Sequence, residues 1–248
     1  MDRRRFLAYS SAGLIAAGLG SNRSAFGDSI VPGKGLSDDS LLSWEQFLDR
    51  AVDAGSKLVD DRSQAGQDAY LYAIGSIAAR LGELPEAQLR DFGNLDPAYE
   101  LSMIFRDSAS PFFILYWQME PGAIFPAHCH PGANVCTLCT GGRAVIRNFD
   151  TVAGAPKCWE DADDAFAVIE TKSEVLRPGV INAVTEFRNN IHHFQAGPDG
   201  VAGIDITTGY DDKPKPFSFL QLENPQAGSS GETRYTGRWV GKDIKRAV

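Results

Sequence analysis

"FPAHCHPGANVCTLCTGG", residues 125–142, holds two of the chain's four histidines, His128 and His130, one residue apart. The other two, His192 and His193, are adjacent to each other. A chain this poor in histidine has placed all four in two tight groups. In a β-strand, residues i and i+2 point to the same face. His128 and His130 therefore aim together, and Cys129 aims the other way. Two imidazoles so placed are half of a metal site, and neutral imidazole serves Fe, Zn, Cu and Ni alike. A third histidine ligand has to come from the 192–193 pair. The plain alternative is solvated or core histidines that happen to lie close; the grouping of every histidine in the chain argues for a metal.

The surroundings of this stretch are strand-like. From about Pro111, "PFFILYWQMEPG", "NVCTLCTGG", "RAVIRNFD", "FAVIETKSEVL", "NAVTEF", "HHFQAG" and "VAGIDITTGY" are short β-branched or aromatic segments punctuated by Gly, Pro, Asn and Asp. Such texture predicts an all-β sandwich or barrel. Upstream, Leu41, Trp44, Leu48 and Val52 recur at spacings of three and four with Ser43 as N-cap, which predicts a helix. "QDAYLYAIGSIAARL" predicts a second helix ending before Gly82, and "DPAYELSMIFR" a short third one. "NPQAGSSGETRYTGRW" reads as a surface loop or tail. The expected organisation is a linker and helical extension over 28–110, the barrel over 111–222, and a loop or tail over 223–248.

Residues 1–27 form a separate object. A basic start, a mostly apolar run and the small-residue stretch "SAFG" have the anatomy of an export signal. Asp2-Arg3-Arg4-Arg5-Phe6-Leu7 resembles the twin-arginine pattern. The expectation is delivery to the periplasm by the twin-arginine translocation machinery, which carries folded cargo. Hydrophobic content of 43% with 23% charge allows a sizeable core. A net charge of −8 gives no support for a nucleic-acid partner. No apolar run reaches the ~18 residues of a membrane-spanning helix, so no span is expected in the mature chain.

Gly122 followed after five residues by His128-x-His130 resembles the first motif of the cupin superfamily. Cupins usually place a glutamate ligand shortly after the second histidine; Asn134 and Val135 stand there instead, which leaves a three-histidine site. Within the cupins, Pro126-Ala127-His128-Cys129-His130-Pro131-Gly132 resembles the motif of thiol dioxygenases of the cysteamine dioxygenase and plant cysteine oxidase type. Gly142 through Phe149-Asp150, Asn190-Ile191-His192-His193-Phe194, and Ile204-Asp205-Ile206 with Tyr210 follow in matching order. The resemblance covers about residues 111–215. It implies an all-β cupin double-stranded β-helix (a jelly-roll barrel) preceded by N-terminal helices. It implies one Fe(2+) per chain on His128, His130 and His192, and the addition of O2 to the sulfur of a small-molecule thiol to give a sulfinate.

The resemblance further implies roles for the neighbours. Asp205 would bind a substrate amine or accept a proton through water, and Tyr210 would hydrogen-bond oxygen or line the pocket. Phe194 would wall the site beside His192, and Arg147 is the candidate for a carboxylate-bearing substrate. An isomerase or lyase using Mn, Ni or Zn, and a non-catalytic ligand-binding cupin, are the competing classes.

Four cysteines remain. Cys136 and Cys139 form a C-x-x-C, but on a strand i and i+3 face opposite sides, which argues against a redox pair. The spacing of the four fits no common zinc-ribbon pattern. Pairing is open to Cys129, Cys136, Cys139 and Cys158 in an oxidising periplasm; buried free thiols are the expected state.

Overall fold

The computed structural model describes residues 41–85, 99–160, 164–210, 215–242 and 244–247. The expected signal at 1–27 and the linker that follows it lie outside the described residues. No helix among the described residues is long and apolar enough to cross a membrane.

Helix α1 spans Trp44–Asp60 and starts where the cap chemistry dictates. The Ser43 hydroxyl accepts from Gln46 N–H, and the Gln46 side chain accepts from Ser43 N–H, a reciprocal capping box. Helix α2 spans Gln64–Ala78. It begins three residues before the apolar pattern suggests, because Ser63 caps it by accepting from Gly66 N–H. Phe47, Ala51 and Leu58 of α1 and Tyr70, Ile74 and Ala78 of α2 pack on Phe112, Ile114, Ile204 and Ile206 of the barrel.

Among the described residues nine strands follow: β1 Tyr99–Arg106, β2 Phe112–Met119, β3 Ile124–Cys129, β4 Ala133–Thr151, β5 Phe166–Leu176, β6 Ile181–Val184, β7 Ile191–Gly209, β8 Leu220–Ala227 and β9 Thr233–Trp239. A short helix, α3, lies at Ile244–Ala247. Every pairing between strands is antiparallel.

The long strands β4 and β7 belong to two sheets at once. Residues 133–142 of β4 pair with 201–209 of β7, and 144–149 pair with 191–196. Between these blocks the register breaks at Gly141 and Gly142. Gly142 has φ +67°, and a Cβ there would stand 2.2 Å from the Gly200 carbonyl oxygen, so only glycine lets the strands bend across each other here. The first sheet is thus β1-β2-β7-β4-β6, and the second is β3-β7-β4-β5-β9-β8. Their inner faces meet over Trp117, Met119, Phe125, Ile146, Leu176, Phe194, Val201 and Phe219. The helices cover the outer face of the first sheet. Behind the second sheet, Ala127, Cys129, Phe149 and Ile191 pack with Val168, Leu220 and Trp239. The architecture is the expected double-stranded β-helix, with two helices on its N-terminal side.

Two elements differ from expectation. Residues 99–106 form a strand, not a helix: β1 pairs with β2 from Tyr99 opposite Met119 to Arg106 opposite Phe113. Tyr99 and Leu101 reach the inter-sheet core, so tertiary burial overrides a segment whose local pattern was ambiguous. Residues 223–239 of the expected loop or tail are structured, because β8 and β9 form a hairpin joined to β5, from Phe166 opposite Gly237 to Glu170 opposite Thr233. The Gly- and Ser-rich run supplies only the hairpin loop, where Gly231 has φ +87°. The barrel therefore runs from Tyr99 to Trp239, beyond the expected 111–222.

Phe47 is fully buried between α1 and the barrel. Phe47→Ala should cost about 3–5 kcal/mol, read as a lower midpoint in guanidinium titration, whereas Ser43→Ala should cost about 1 kcal/mol through the lost cap.

Candidate metal centre

Strands β3 and β7 are neighbours, and the Cα of His128 stands opposite that of His192. Pro126 has no N–H to give the ladder, and the register shifts between Phe125 and His128. The shift turns Phe125 and His128 to the same face, with ring centroids 4.7 Å apart. His130 lies one residue past the end of β3. Its N–H donates to the Asn190 carbonyl at 3.3 Å, and Asn190 Nδ2 donates to the His130 carbonyl at 3.4 Å. Asn190 thereby holds the two ligand-bearing segments together just before His192.

Three imidazoles converge as a result. His192 Nε2 is 2.8 Å from His130 Nε2 and 3.0 Å from His128 Nε2. His128 Nδ1 lies 2.9 Å from the Pro126 carbonyl, which accepts the Nδ1 proton and leaves the Nε2 lone pair pointing at His192. His192 Nε2 carries at most one proton and has two nitrogens to face, so hydrogen bonding cannot satisfy all three. One cation can. Metal–nitrogen bonds of roughly 2.1 Å at right angles would set the nitrogens roughly 3.0 Å apart, which the observed separations match. Burial pushes the His128 pKa down to about 4, and burial, reinforced by the neighbouring imidazoles, holds His130 and His192 well below the ordinary value. All three are neutral at pH 7, the state a metal requires. His192 Nδ1 is buried without a protein partner.

The histidine-bearing segments lie side by side on paired strands, not on strands facing each other across the barrel. Facing sheets stand about 10 Å apart, while paired strands stand about 4.8 Å apart; only the second distance lets the rings meet. Apolar rings wall the group: Phe194 is 4.6 Å from His192, and Phe219 is 6.2 Å from His128.

The other expected residues divide by strand parity. His193 points with Ile191 to the back of the second sheet, where burial, with Arg147 nearby, lowers its pKa to about 4. Asp205 faces the second sheet from the first, buried. It accepts from Thr137 Oγ1 at 2.6 Å and Trp117 Nε1 at 3.2 Å. Burial still raises its pKa to about 6. The Trp117 ring, 5.3 Å from Phe194, links Asp205 to the histidine wall.

Tyr210 and Arg147 do not reach the site. Tyr210 lies in the helix-covered core, donating to Asn134 Oδ1 under the Arg62 guanidinium, which is 5.5 Å from its ring. Arg147 stands opposite His193 behind the second sheet, ion-paired to Glu170 at 2.6 Å and hydrogen-bonded to Tyr235. It is Asn148, one residue on, that stands opposite His192 on the cavity side. Asn148, Asn182, Lys172 and Glu174 are polar residues of the inner faces that sequence reasoning missed. Parity would have found them had the β4–β7 register been known.

The cysteines also split. Cys136 and Cys139 are free and buried on opposite faces of β4, in the helix-side and inter-sheet cores. Cys129 and Cys158 form a disulfide with Cα atoms 6.6 Å apart, against the expectation of four free thiols. Cys129 alternates with the histidines and so points behind the sheet, where the β4–β5 connection brings Cys158 onto it.

No family model and no curated relative matches the chain. Solved structures do. The coconut allergen cocosin overlaps at 16% identity and TM-score 0.34, over 47% of this chain and 28% of that one. A cupin-2 domain from Rhodospirillum rubrum overlaps at 13% identity and TM-score 0.37, over 53% and 76%. A recombinant oxalate oxidase in complex with glycolate overlaps at 13% identity and TM-score 0.37, over 51% and 57%. At overlaps this slight, any functional reading rests on the site itself.

His128→Ala, His130→Ala and His192→Ala should each lower bound transition metal from about one per chain to below a tenth, measured by plasma mass spectrometry after gel filtration. His193→Ala should retain it. Loss from His193→Ala with retention in His192→Ala would contradict the register described above.

Proposed function

We propose that the protein is a non-haem Fe(II) thiol dioxygenase that adds both atoms of O2 to the sulfur of a small amino-thiol or an N-terminal cysteine, giving a sulfinate. The observation that carries this reading is the convergence of three imidazole Nε2 atoms with no carboxylate beside them. Among the described residues, the metal-competent group consists of His128, His130 and His192 alone. The positions where cupins commonly carry a glutamate hold Asn134 and Val135, and the Asn134 side chain is turned away to Tyr210. His128, His130 and His192 would hold the metal through three neutral nitrogens. When bound, iron supplies the place where thiolate and O2 meet and the electrons that pass between them.

The chain's own residues do the rest. Phe125, Phe194 and Phe219 keep bulk water from the histidines. The β3–β7 ladder fixes the ligand rings, so proximity and orientation need no rearrangement at the moment of reaction. Asp205, ionised above about pH 6, is the proton acceptor on the same inner surface and orients Trp117 and Thr137.

The test is anaerobic reconstitution with Fe(II), then O2 and a panel of cysteamine, cysteine and a peptide with N-terminal cysteine. The expected product is heavier by two oxygen atoms. Metal binding with no product from any thiol would favour a cupin of another reaction type. In the active protein, kcat/KM should rise with pH through about 6. Asp205→Asn should abolish that limb and lower kcat/KM about 10- to 150-fold, matching the roughly 1.5–3 kcal/mol of a charged hydrogen bond. An unchanged profile would make Asp205 structural.

We also propose that the chain reaches an oxidising periplasm through its twin-arginine segment. The Cys129–Cys158 disulfide supports this, since such bonds persist in oxidising compartments. Changing Arg3 and Arg4 to Lys should leave precursor in the cytoplasm, seen by fractionation and immunoblotting; unchanged export would refute it.

A further inference from the structure

Strand β3, which carries His128, runs out just where the histidines need it. Its ladder with β7 ends at Cys129 opposite Ile191. His130 falls one residue beyond that pair and leads into a turn in which Gly132 has φ +67°. On the other edge of β3, Cys129 N–H donates to the Ser218 carbonyl at 3.1 Å, and Ser218 N–H donates to Cys129 Sγ at 3.3 Å. Behind the sheet, Cys129 is bonded to Cys158, 29 residues further along the chain. Cys158 lies in the β4–β5 connection, where the Trp239 indole N–H also donates to the Pro156 carbonyl at 3.0 Å. The disulfide thus joins the end of β3 to a connection that is itself fastened to the back of the second sheet.

We propose that the Cys129–Cys158 disulfide is a redox latch on the three-histidine group. Closed, it holds His128 and His130 where they meet His192; opened to two thiols, it frees the end of β3, and affinity for the metal falls. The latch depends on the metal centre and not on the thiol reaction assigned to it. Cys129 stands between the two histidines in sequence, so the disulfide grips the backbone one residue from each. The three Nε2 atoms must gather at separations of 2.8 and 3.0 Å. A metal that first has to order His130 gives up binding free energy to do so, and a cross-link that orders it beforehand removes that cost. Strand alternation keeps the two chemistries apart. The sulfurs lie behind the sheet, so opening the bond brings no new thiolate to the metal.

Opening is a thiol–disulfide exchange with an external thiol as the reductant. Cys158 is 9% exposed and Cys129 only 1%, so the external thiolate attacks the Cys158 sulfur. The S–S bond breaks, and Cys129 leaves as a thiolate that accepts from Ser218 N–H and then takes a proton. A second external thiol displaces the mixed disulfide from Cys158. Two external thiols have then become one disulfide, and their two electrons and two protons rest on Cys129 and Cys158. Closing is the reverse, with an external disulfide as the oxidant. Coupling between two sites is reciprocal: if the closed form binds metal more tightly, bound metal makes the disulfide harder to reduce by the same factor. Under the export proposed above, the chain would take its metal in a reducing compartment and close the latch in an oxidising one.

The experiment is anaerobic competition for Fe(II) between the full-length protein and a chromogenic chelator, read at equilibrium. Three forms are compared: the disulfide form, wild type reduced by a water-soluble phosphine that is then removed, and Cys158→Ser. Both open forms should bind Fe(II) roughly 10- to 100-fold more weakly, the range for groups that support metal ligands. Reoxidation should restore the affinity of wild type and leave Cys158→Ser unchanged. Saturating Fe(II) should in turn lower the midpoint potential of the disulfide by about 30 mV for each factor of ten in affinity, read by maleimide labelling across dithiol redox buffers. Near-UV circular dichroism reports whether each form is folded, and where Cys158→Ser fails to fold the reduced wild type decides. Equal Fe(II) affinity in folded open and closed forms overturns the latch, as does tighter binding by the open form. Unfolding of both open forms overturns it too, since the bond then serves the fold and not the metal. None of these results bears on the thiol reaction. A wild type that binds no Fe(II) in either state overturns the latch together with the metal centre.

Discussion

The antiparallel ladder between β4 and β7 is the constraint on which the rest depends. Its two blocks make the spines of both sheets, and the break at Gly141 and Gly142 lets one pair of strands serve both. Its register places Asn148 beside His192 and Thr137 beside Asp205. A slip of one residue would exchange every inward side chain for its outward neighbour. His193 would then face the space between the sheets in place of His192, and Arg147 in place of Asn148. The amide pair between Asn148 and Asn182 guards against that slip, because both groups are buried and only the native register satisfies them.

Alternation also explains why three chemistries coexist without interference. Along β3, Ala127 and Cys129 belong to the layer behind the second sheet, while His128 belongs to the cavity. The disulfide is thereby attached to the strand that carries His128 yet separated from the three-histidine group by the sheet. Along β7, Ile204 and Ile206 meet the helices, while Asp205 between them meets Trp117. Each strand is a partition with one function on each side.

Much of this was legible beforehand. The i, i+2 rule brought His128 and His130 together, and the scarcity of histidine narrowed the third ligand to the 192–193 pair. Ser43 marked the start of α1, and parity separated Cys136 from Cys139. What escaped was everything that depends on register between distant segments. Sequence shows which residues share a face within a strand, but not which residue of another strand stands opposite. Arg147 and Tyr210 fell on the wrong faces for that reason, and Lys172 was passed over. The disulfide escaped because pairing needs the position of the β4–β5 connection. β1 escaped because "YELSMIFR" carries no strong period of its own and becomes a strand by pairing with β2.

Desolvation ties the site together. Burial that would leave a lone histidine merely uncharged here leaves three neutral nitrogens sharing one point, an arrangement that protons cannot satisfy and a cation can. The same burial raises the Asp205 carboxyl toward neutrality while Thr137 and Trp117 pull it back, so its charge changes within reach of physiological pH. At the solvent-reaching edge of the polar line, the cost of a bare charge is met by pairing Lys172 with Glu174. Moving outward from the histidines, the row of inner side chains passes from neutral lone pairs, through amides that are both donor and acceptor, to full charges in balance. That ordering follows the fall in desolvation cost with growing access to water.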